Sequence, residues 1–255
     1  MNNLKNKTAL ITGATSGIGK SCAKKLAKKG VNLILTGRRK GNLVEFKKQL
    51  SKYDVNVKIL AFDVRSLDVV QKKLTKILKN KKVDILINNA GLALGTQKID
   101  EGEIDNWEKM IDTNIKGLLY VSRLVIPHFR AQNSGHIINI GSIAGVMTYP
   151  GGNVYCATKA AVHTLSEAMN IDLMGTHVRV SNIAPGAVKT EFSDVRFDGD
   201  KEKSDAVYEG YEPLKAKDIS SLILYVLNAP KHVNIQHSLI MPTAQRNPYA
   251  LHREL

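Results

Sequence analysis

Seven short apolar runs, each parted from the next by a longer stretch with helical spacing, constrain the fold of this chain more than any other feature. The runs are Thr8–Thr12, Val31–Thr36, Val55–Ala61, Val83–Ile87, His136–Ile140, Val178–Ile183 and Ser238–Met241. Helical spacing covers about Gly17–Lys29, Lys40–Ser51, Ser66–Asn80, Asp105–Ala131, Gly152–Met174 and Lys217–Asn228. Strand followed by helix, repeated, implies parallel strands, because each crossover returns the chain to the same end of the sheet. Nearly unbroken apolar strands fit a sheet covered on both faces. The expectation is an α/β, Rossmann-type, doubly wound and mostly parallel seven-stranded sheet with helices on both faces. No linker, repeat or domain break divides residues 1–255, so a single domain is expected. The least regular stretch, Pro185–Leu214, reads as a lid over a substrate site. The polar terminal Gln245–Leu255 reads as a disordered tail or a subunit contact.

Composition narrows the class. At 43% hydrophobic and 24% charged, the 255 residues are those of an ordinary globular protein. Two cysteines, Cys22 and Cys156, rule out a disulfide scaffold and a Cys-rich zinc site. No trusted ligand spacing links the seven histidines, so no metal is expected. No apolar run reaches the ~18 residues of a membrane span. The polar Met1–Lys7 has no signal core, so a cytoplasmic protein is expected. The net charge is +14 and unevenly placed. Residues 1–82 carry 21 Lys/Arg against 4 Asp/Glu, and residues 83–255 carry 16 against 19. Most of the excess alternates with apolar residues at helical spacing, the pattern of solvated outer faces. No nucleic-acid or membrane partner is expected from it.

Three motifs carry chemistry. Gly13-Ala14-Thr15-Ser16-Gly17-Ile18-Gly19 lies between the first strand and the first helix. Glycines there let the backbone turn and approach a pyrophosphate, which the helix N-terminus then binds with free N–H groups. The second strand ends in Gly37-Arg38-Arg39-Lys40, with Arg38 19 residues past Gly19. A dinucleotide site places its ribose ligand about 20 residues past the turn. Guanidinium groups suit a 2′-phosphate there, and no acid stands nearby, so NADP is preferred over NAD. Tyr155 and Lys159 sit four apart in a helical segment and share a face. An ammonium beside a phenol lowers its pKa from ~10 and suits it to proton transfer. Ser142 follows the fifth strand, where its hydroxyl can hold a substrate oxygen. Cys156 points about 100° away from Tyr155 and reads as a small buried filler.

Taken together, the Gly13–Gly19 turn, Asp63-Val64, Asn88-Asn89-Ala90-Gly91, Asn114, Ser142, Tyr155, Lys159, Pro185-Gly186 and Thr190 resemble a short-chain dehydrogenase/reductase over essentially the whole chain. The resemblance implies that Tyr155 passes the proton and Ser142 bonds the substrate oxygen. It implies that Lys159 binds the nicotinamide ribose and lowers the phenol pKa, and that Asn114 holds a water of the proton relay. Thr15, Ser16, Gly17 and Ile18 would meet the pyrophosphate, and Asp63 and Val64 the adenine. Asn89, Ala90 and Gly91 would line the cleft, and Pro185, Gly186, Val188 and Thr190 the nicotinamide end. The cofactor carries the hydride chemistry.

Stretches Asn88–Gly95, Trp107–Asn114, Gly151–Tyr155 and Thr190–Phe197 are similar to one branch, the NADP-dependent 3-hydroxy acid dehydrogenases. That likeness implies small hydroxy acids such as L-allo-threonine and serine, or short semialdehydes, as substrates, and a homotetramer. A carboxylate in a closed site needs a cation, and Arg196 is the candidate, able to make the bidentate contact that Lys does not reproduce. Two alternatives stand beside this reading. One is a reductase of another carbonyl, a 3-ketoacyl group, sugar or sterol. The other is a non-catalytic cofactor sensor or nucleic-acid binder using the basic N-terminal third, against which the full Ser142–Tyr155–Lys159 set argues.

Overall fold

The computed structural model describes residues 4–254; Met1–Asn3 of the polar start and Leu255 lie outside them. The main sheet holds β1 (Thr8–Ile11), β2 (Asn32–Gly37), β3 (Val57–Ala61), β4 (Ile85–Asn88), β5 (Gly135–Ile140), β6 (Val178–Pro185) and β9 (His237–Ile240), in the order β3-β2-β1-β4-β5-β6-β9. Every pairing in it is parallel. Strand order reverses at β1, which pairs with β2 on one side and β4 on the other. A crevice must open there, beyond the carboxyl ends of the strands, because the crossovers on either side leave in opposite directions.

Alternate residues of the strands feed two cores, as a period of two requires. Ala9, Ile11, Leu33, Leu35 and Ile87 face α1 (Gly17–Lys28), α2 (Lys40–Leu50) and α9 (Ala216–Asn228), which bring Leu26, Phe46 and Ile223. Leu10, Ile34, Leu86, Ile137 and Val180 face α3 (Leu67–Leu78), α5 (Gly117–Ala131) and α6 (Asn153–Asp172), which bring Leu74, Phe129 and Val162. The lysines of α1, α2 and α3 line the outer faces, with Lys24, Lys28, Lys47, Lys48, Lys72, Lys73 and Lys76 exposed. No helix among the described residues is long and apolar enough to cross a membrane.

Three expectations change. The single helix over Asp105–Ala131 is instead α4 (Ile104–Ile111), a π-helical turn over Asp112–Lys116, and α5. The wider turn turns Thr113 and Asn114 into the interior, where periodicity of 3.6 alone does not place them. The stretch from Pro185 to Leu214 is more regular than its composition suggests. It holds β7 (Val188–Lys189), α7 (Glu191–Arg196) and α8 (Lys201–Ala206), and β7 pairs in parallel with β8 (Leu214–Lys215). The tail is folded back rather than free. Gln245 is buried, its side chain accepts from the Ala187 N–H at 3.0 Å, and the Glu254 N–H donates to the Gly210 carbonyl at 2.7 Å.

Candidate active site

The turn after β1 is held from behind by β4. The Asn89 side-chain amide donates to the carbonyls of Thr12 and Gly13, both at 3.0 Å. The Thr12 hydroxyl accepts from the N–H groups of Asn89 and Ala90, both at 3.0 Å. A Cβ on Gly19 would lie 2.5 Å from the Asn89 amide nitrogen and 2.6 Å from the Gly13 carbonyl oxygen. Close packing against Asn89 therefore demands glycine at position 19, a reason the sequence argument did not supply. Gly17, by contrast, has a φ of +50° and faces the open cleft opposite Thr190, so its glycine answers to the turn itself.

Helix α1 starts at this turn. Ser16 makes no side-chain cap and the first helical turn carries no acid, so its first N–H groups face the cleft without an intrahelical acceptor. The cleft, about 340 Å³, runs from Arg38, Arg39 and Asp63 past Gly13, Thr15–Ile18 and Asn89–Gly91 to Ser142, Tyr155, Lys159, Pro185, Gly186, Val188 and Thr190. Val64 also lines it. Cations at one end, helix N–H groups midway and a glycine wall at Gly91 fit an extended, phosphate-bearing dinucleotide.

At the Arg end, Arg39 reaches the Thr15 hydroxyl at 3.2 Å and pairs with Glu191 at 3.0 Å. Asp63 is tied to Arg65 at 2.7 Å. Burial pushes the Asp63 carboxyl up, but hydrogen bonds from the Arg65 side chain and backbone outweigh it and hold the group below its usual range.

At the other end, a short turn over Ile143–Gly145 packs Ser142 against α6. A Cβ on Gly145 would lie 2.4 Å from the Lys159 carbonyl oxygen, so glycine permits the approach that brings Ser142 and Tyr155 together. The Ser142 hydroxyl accepts from the Ala144 N–H at 3.1 Å, and Ser142 and Tyr155 line the same end of the cleft. Lys159 donates to the Ile140 carbonyl at 2.8 Å. Its ammonium lies 5.9 Å from the centre of the Tyr155 ring.

This arrangement corrects one expectation. The Tyr155 phenol is pushed up from its ordinary value, first by burial and then by Tyr149, and Lys159 is not what moves it. The cation faces the ring, and one of its three N–H donors goes to the Ile140 carbonyl. Burial likewise pushes Lys159 down to about 8. Burial is thus the largest influence on both groups.

The Asn114 side chain ties two neighbouring segments together. Its side-chain oxygen accepts from the Leu92 N–H at 2.9 Å, and its amide donates to the Leu92 carbonyl at 2.8 Å and the Thr158 hydroxyl at 3.0 Å. Both amide protons are thereby used in clamping Leu92 and Thr158.

Arg196 is not among the residues that line the cleft and stands beside Tyr149 and Tyr155. It donates to the Tyr149 hydroxyl at 2.8 Å and to the Gly95 carbonyl at 3.3 Å, and its guanidinium lies 5.9 Å from the Tyr155 ring centre. Phe192 packs on Tyr155 with ring centres 5.7 Å apart. Sequence reasoning missed Tyr149, Phe192, Glu191 and Gln245. Each acts through a partner far away in the chain, and no local spacing announces such a pairing.

The short chain dehydrogenase profile matches residues 7–201. The NADP-dependent 3-hydroxy acid dehydrogenase of Schizosaccharomyces pombe is 44% identical over 257 residues, spanning 100% of this chain and 99% of its own length. Sulfoacetaldehyde reductase 2 of Chromohalobacter salexigens is 44% identical over 238 residues, 92% of this chain and 94% of its own. A closed form of serine dehydrogenase complexed with NADP+ superposes with a TM-score of 0.91 at 43% identity, over 97% of this chain and 100% of that one. Matched motif, matched length and matched fold agree, and the chain belongs to the short chain dehydrogenase family.

Proposed function

We propose that this protein interconverts a small 3-hydroxy acid, of the L-serine, L-allo-threonine or 3-hydroxypropionate kind, and the matching keto acid or semialdehyde. It is an NADP-dependent oxidoreductase acting on alcohol groups. The acid reading rests on one observation: the Arg196 guanidinium, steadied by Tyr149, stands 5.9 Å from the Tyr155 ring. Two of its five N–H donors are engaged by Tyr149 and Gly95, which leaves a face of the fork for a carboxylate.

NADP, when bound, supplies the hydride donor or acceptor. Arg38 and Arg39 bind the 2′-phosphate, and the N–H groups of Ser16, Gly17 and Ile18 with the Thr15 hydroxyl meet the pyrophosphate region. Asp63 and Val64 border the adenine, and Ala90, Gly91, Pro185, Gly186, Val188 and Thr190 the remaining length. Ser142 orients the substrate oxygen and Tyr155 holds the proton that moves to or from it. Lys159 holds the nicotinamide ribose. Asn114 acts by fixing the backbone of Leu92 next to the cleft. Exposed Leu119 on α5, Ile171 on α6, Tyr225 on α9 and Leu239 on β9 offer apolar surface for the subunit packing of a homotetramer.

The test is reduction of NADP+ by the purified protein with L-serine, L-allo-threonine and 3-hydroxypropionate, with NAD+ alongside. Turnover of one of these with NADP+ is the expected outcome. NADPH oxidation confined to neutral carbonyls, or to sulfoacetaldehyde, with no NADP+ reduction by the acids, would discard the hydroxy-acid reading and keep the oxidoreductase.

A further inference from the structure

The cofactor cleft carries an acid for which the reaction has no use. Glu191, the first residue of α7, points its carboxylate at the Arg39 guanidinium, 3.0 Å away. The two side chains are 51% and 53% exposed, and they belong to opposite walls of the cleft. The same Arg39 nitrogen also donates to the Thr15 hydroxyl. Thr190, one residue before Glu191, lies over Gly17 on the pyrophosphate turn, within van der Waals range of where a Cβ would stand. The ion pair therefore bridges the mouth of the cleft at the end assigned to the 2′-phosphate.

A carboxylate oxygen and a phosphate oxygen ask the same thing of a guanidinium: parallel N–H donors and opposite charge. A phosphate drawn to Arg39 meets Glu191 as a second anion on the same group, and like charges at that range repel. We infer that Glu191 is a specificity-determining residue: its carboxylate competes with the cofactor's 2′-phosphate for Arg39, so NADP must break a pair that NAD leaves intact. The inference rests on the NADP reading above and adds the residue that opposes it. The exchange also reaches the substrate end, because α7 carries Phe192 on the Tyr155 ring and Arg196 beside it.

Dissociation constants for NADPH and NADH, read from nicotinamide fluorescence without substrate, test it in Glu191→Gln, Arg39→Ala and the double variant. Glu191→Gln should tighten NADPH by about threefold or more and leave NADH unchanged, the range expected when an exposed ion pair and its repulsion are removed. In the Arg39→Ala background the same change should do nothing. Equal shifts for both cofactors, weaker NADPH binding, or no change would overturn the inference. If Arg39→Ala lowers NADPH affinity selectively while Glu191→Gln fails to raise it, the competition alone falls. If Arg39→Ala leaves the NADPH-to-NADH ratio unchanged, the phosphate assignment of Arg39 falls and the competition with it.

Discussion

Lys159 stands one turn beyond Tyr155 on α6, with its ammonium 5.9 Å from the centre of the phenol ring and its hydrogen bond given to the Ile140 carbonyl. Both side chains are nearly inaccessible, at 6% and 8%. A buried ammonium with a single backbone partner is poorly solvated, which is why it releases its proton at about 8 instead of 10.5. The fold holds this charge at the expense of stability, as sites built for function often do.

The pH dependence follows with a definite sign. Above about 8 the folded protein gives up the Lys159 proton while the unfolded chain keeps it until 10.5. Stability from this group therefore rises with pH across that window. Tyr155, pushed up by burial, acts oppositely: above 10 the unfolded phenol ionises and the folded one does not, so stability falls. Lys159→Met should be more stable than the parent at pH 7, by on the order of 1–3 kcal/mol, with the gap closing towards pH 10.5. Thermal melts of the cofactor-free proteins across pH 7–11 would show it, and a gap independent of pH would contradict it.

Tyr155→Phe removes the hydroxyl and keeps the ring on Phe192. Turnover should drop by about 10²–10⁴-fold, the usual contribution of a positioned proton donor. NADPH affinity should stay within about twofold, since the ring packing survives. Single-turnover kinetics beside fluorescence binding separates the two, and loss of both would mean that the phenol holds the cleft in shape.

Arg196→Lys retains charge and loses the fork. The KM for hydroxy acids should rise by about tenfold or more, as expected for a charge-assisted bidentate contact. Neutral carbonyl substrates should shift much less. Parallel changes for both classes would rule out the carboxylate contact and leave Arg196 as a strut between Tyr149 and Gly95.

Asn114→Ala strips three hydrogen bonds from the interior and leaves the Leu92 N–H and carbonyl without a partner. The expected loss is about 2–4 kcal/mol, from the desolvation penalty of those buried groups, seen as a lower urea midpoint with an unchanged slope. A neutral result would show that water replaces the amide.

Gly19→Ala tests the turn. Its Cβ would lie 2.6 Å from a backbone oxygen, which cannot swing aside. A loss of about 1–3 kcal/mol is expected from overpacking, together with weaker binding of NADPH and NADH alike, because the turn moves as a whole. Unchanged affinity for both would mean that the turn relaxes without disturbing the phosphate region.

Most of the architecture was readable from the chain itself. Apolar runs such as Val31–Thr36 and His136–Ile140 are short, nearly unbroken and regularly interrupted by amphipathic helices, and only a parallel sheet buried on both faces satisfies that pattern. The spacing of Gly13, Gly17 and Gly19, the arginines after β2, and the Tyr155–Lys159 pair are local features, so they survive in one dimension. What the chain alone did not determine are relations between distant residues. The π turn that buries Asn114, the grip of Asn89 on the glycine turn, the Arg39–Glu191 bridge and the folded-back Gln245 each join elements 58 or more residues apart or break local periodicity. The direction of the Tyr155 pKa belongs to the same class. Sequence spacing places a cation near a phenol, but burial is a sum over everything packed around them, and only the assembled core sets which of the two effects prevails.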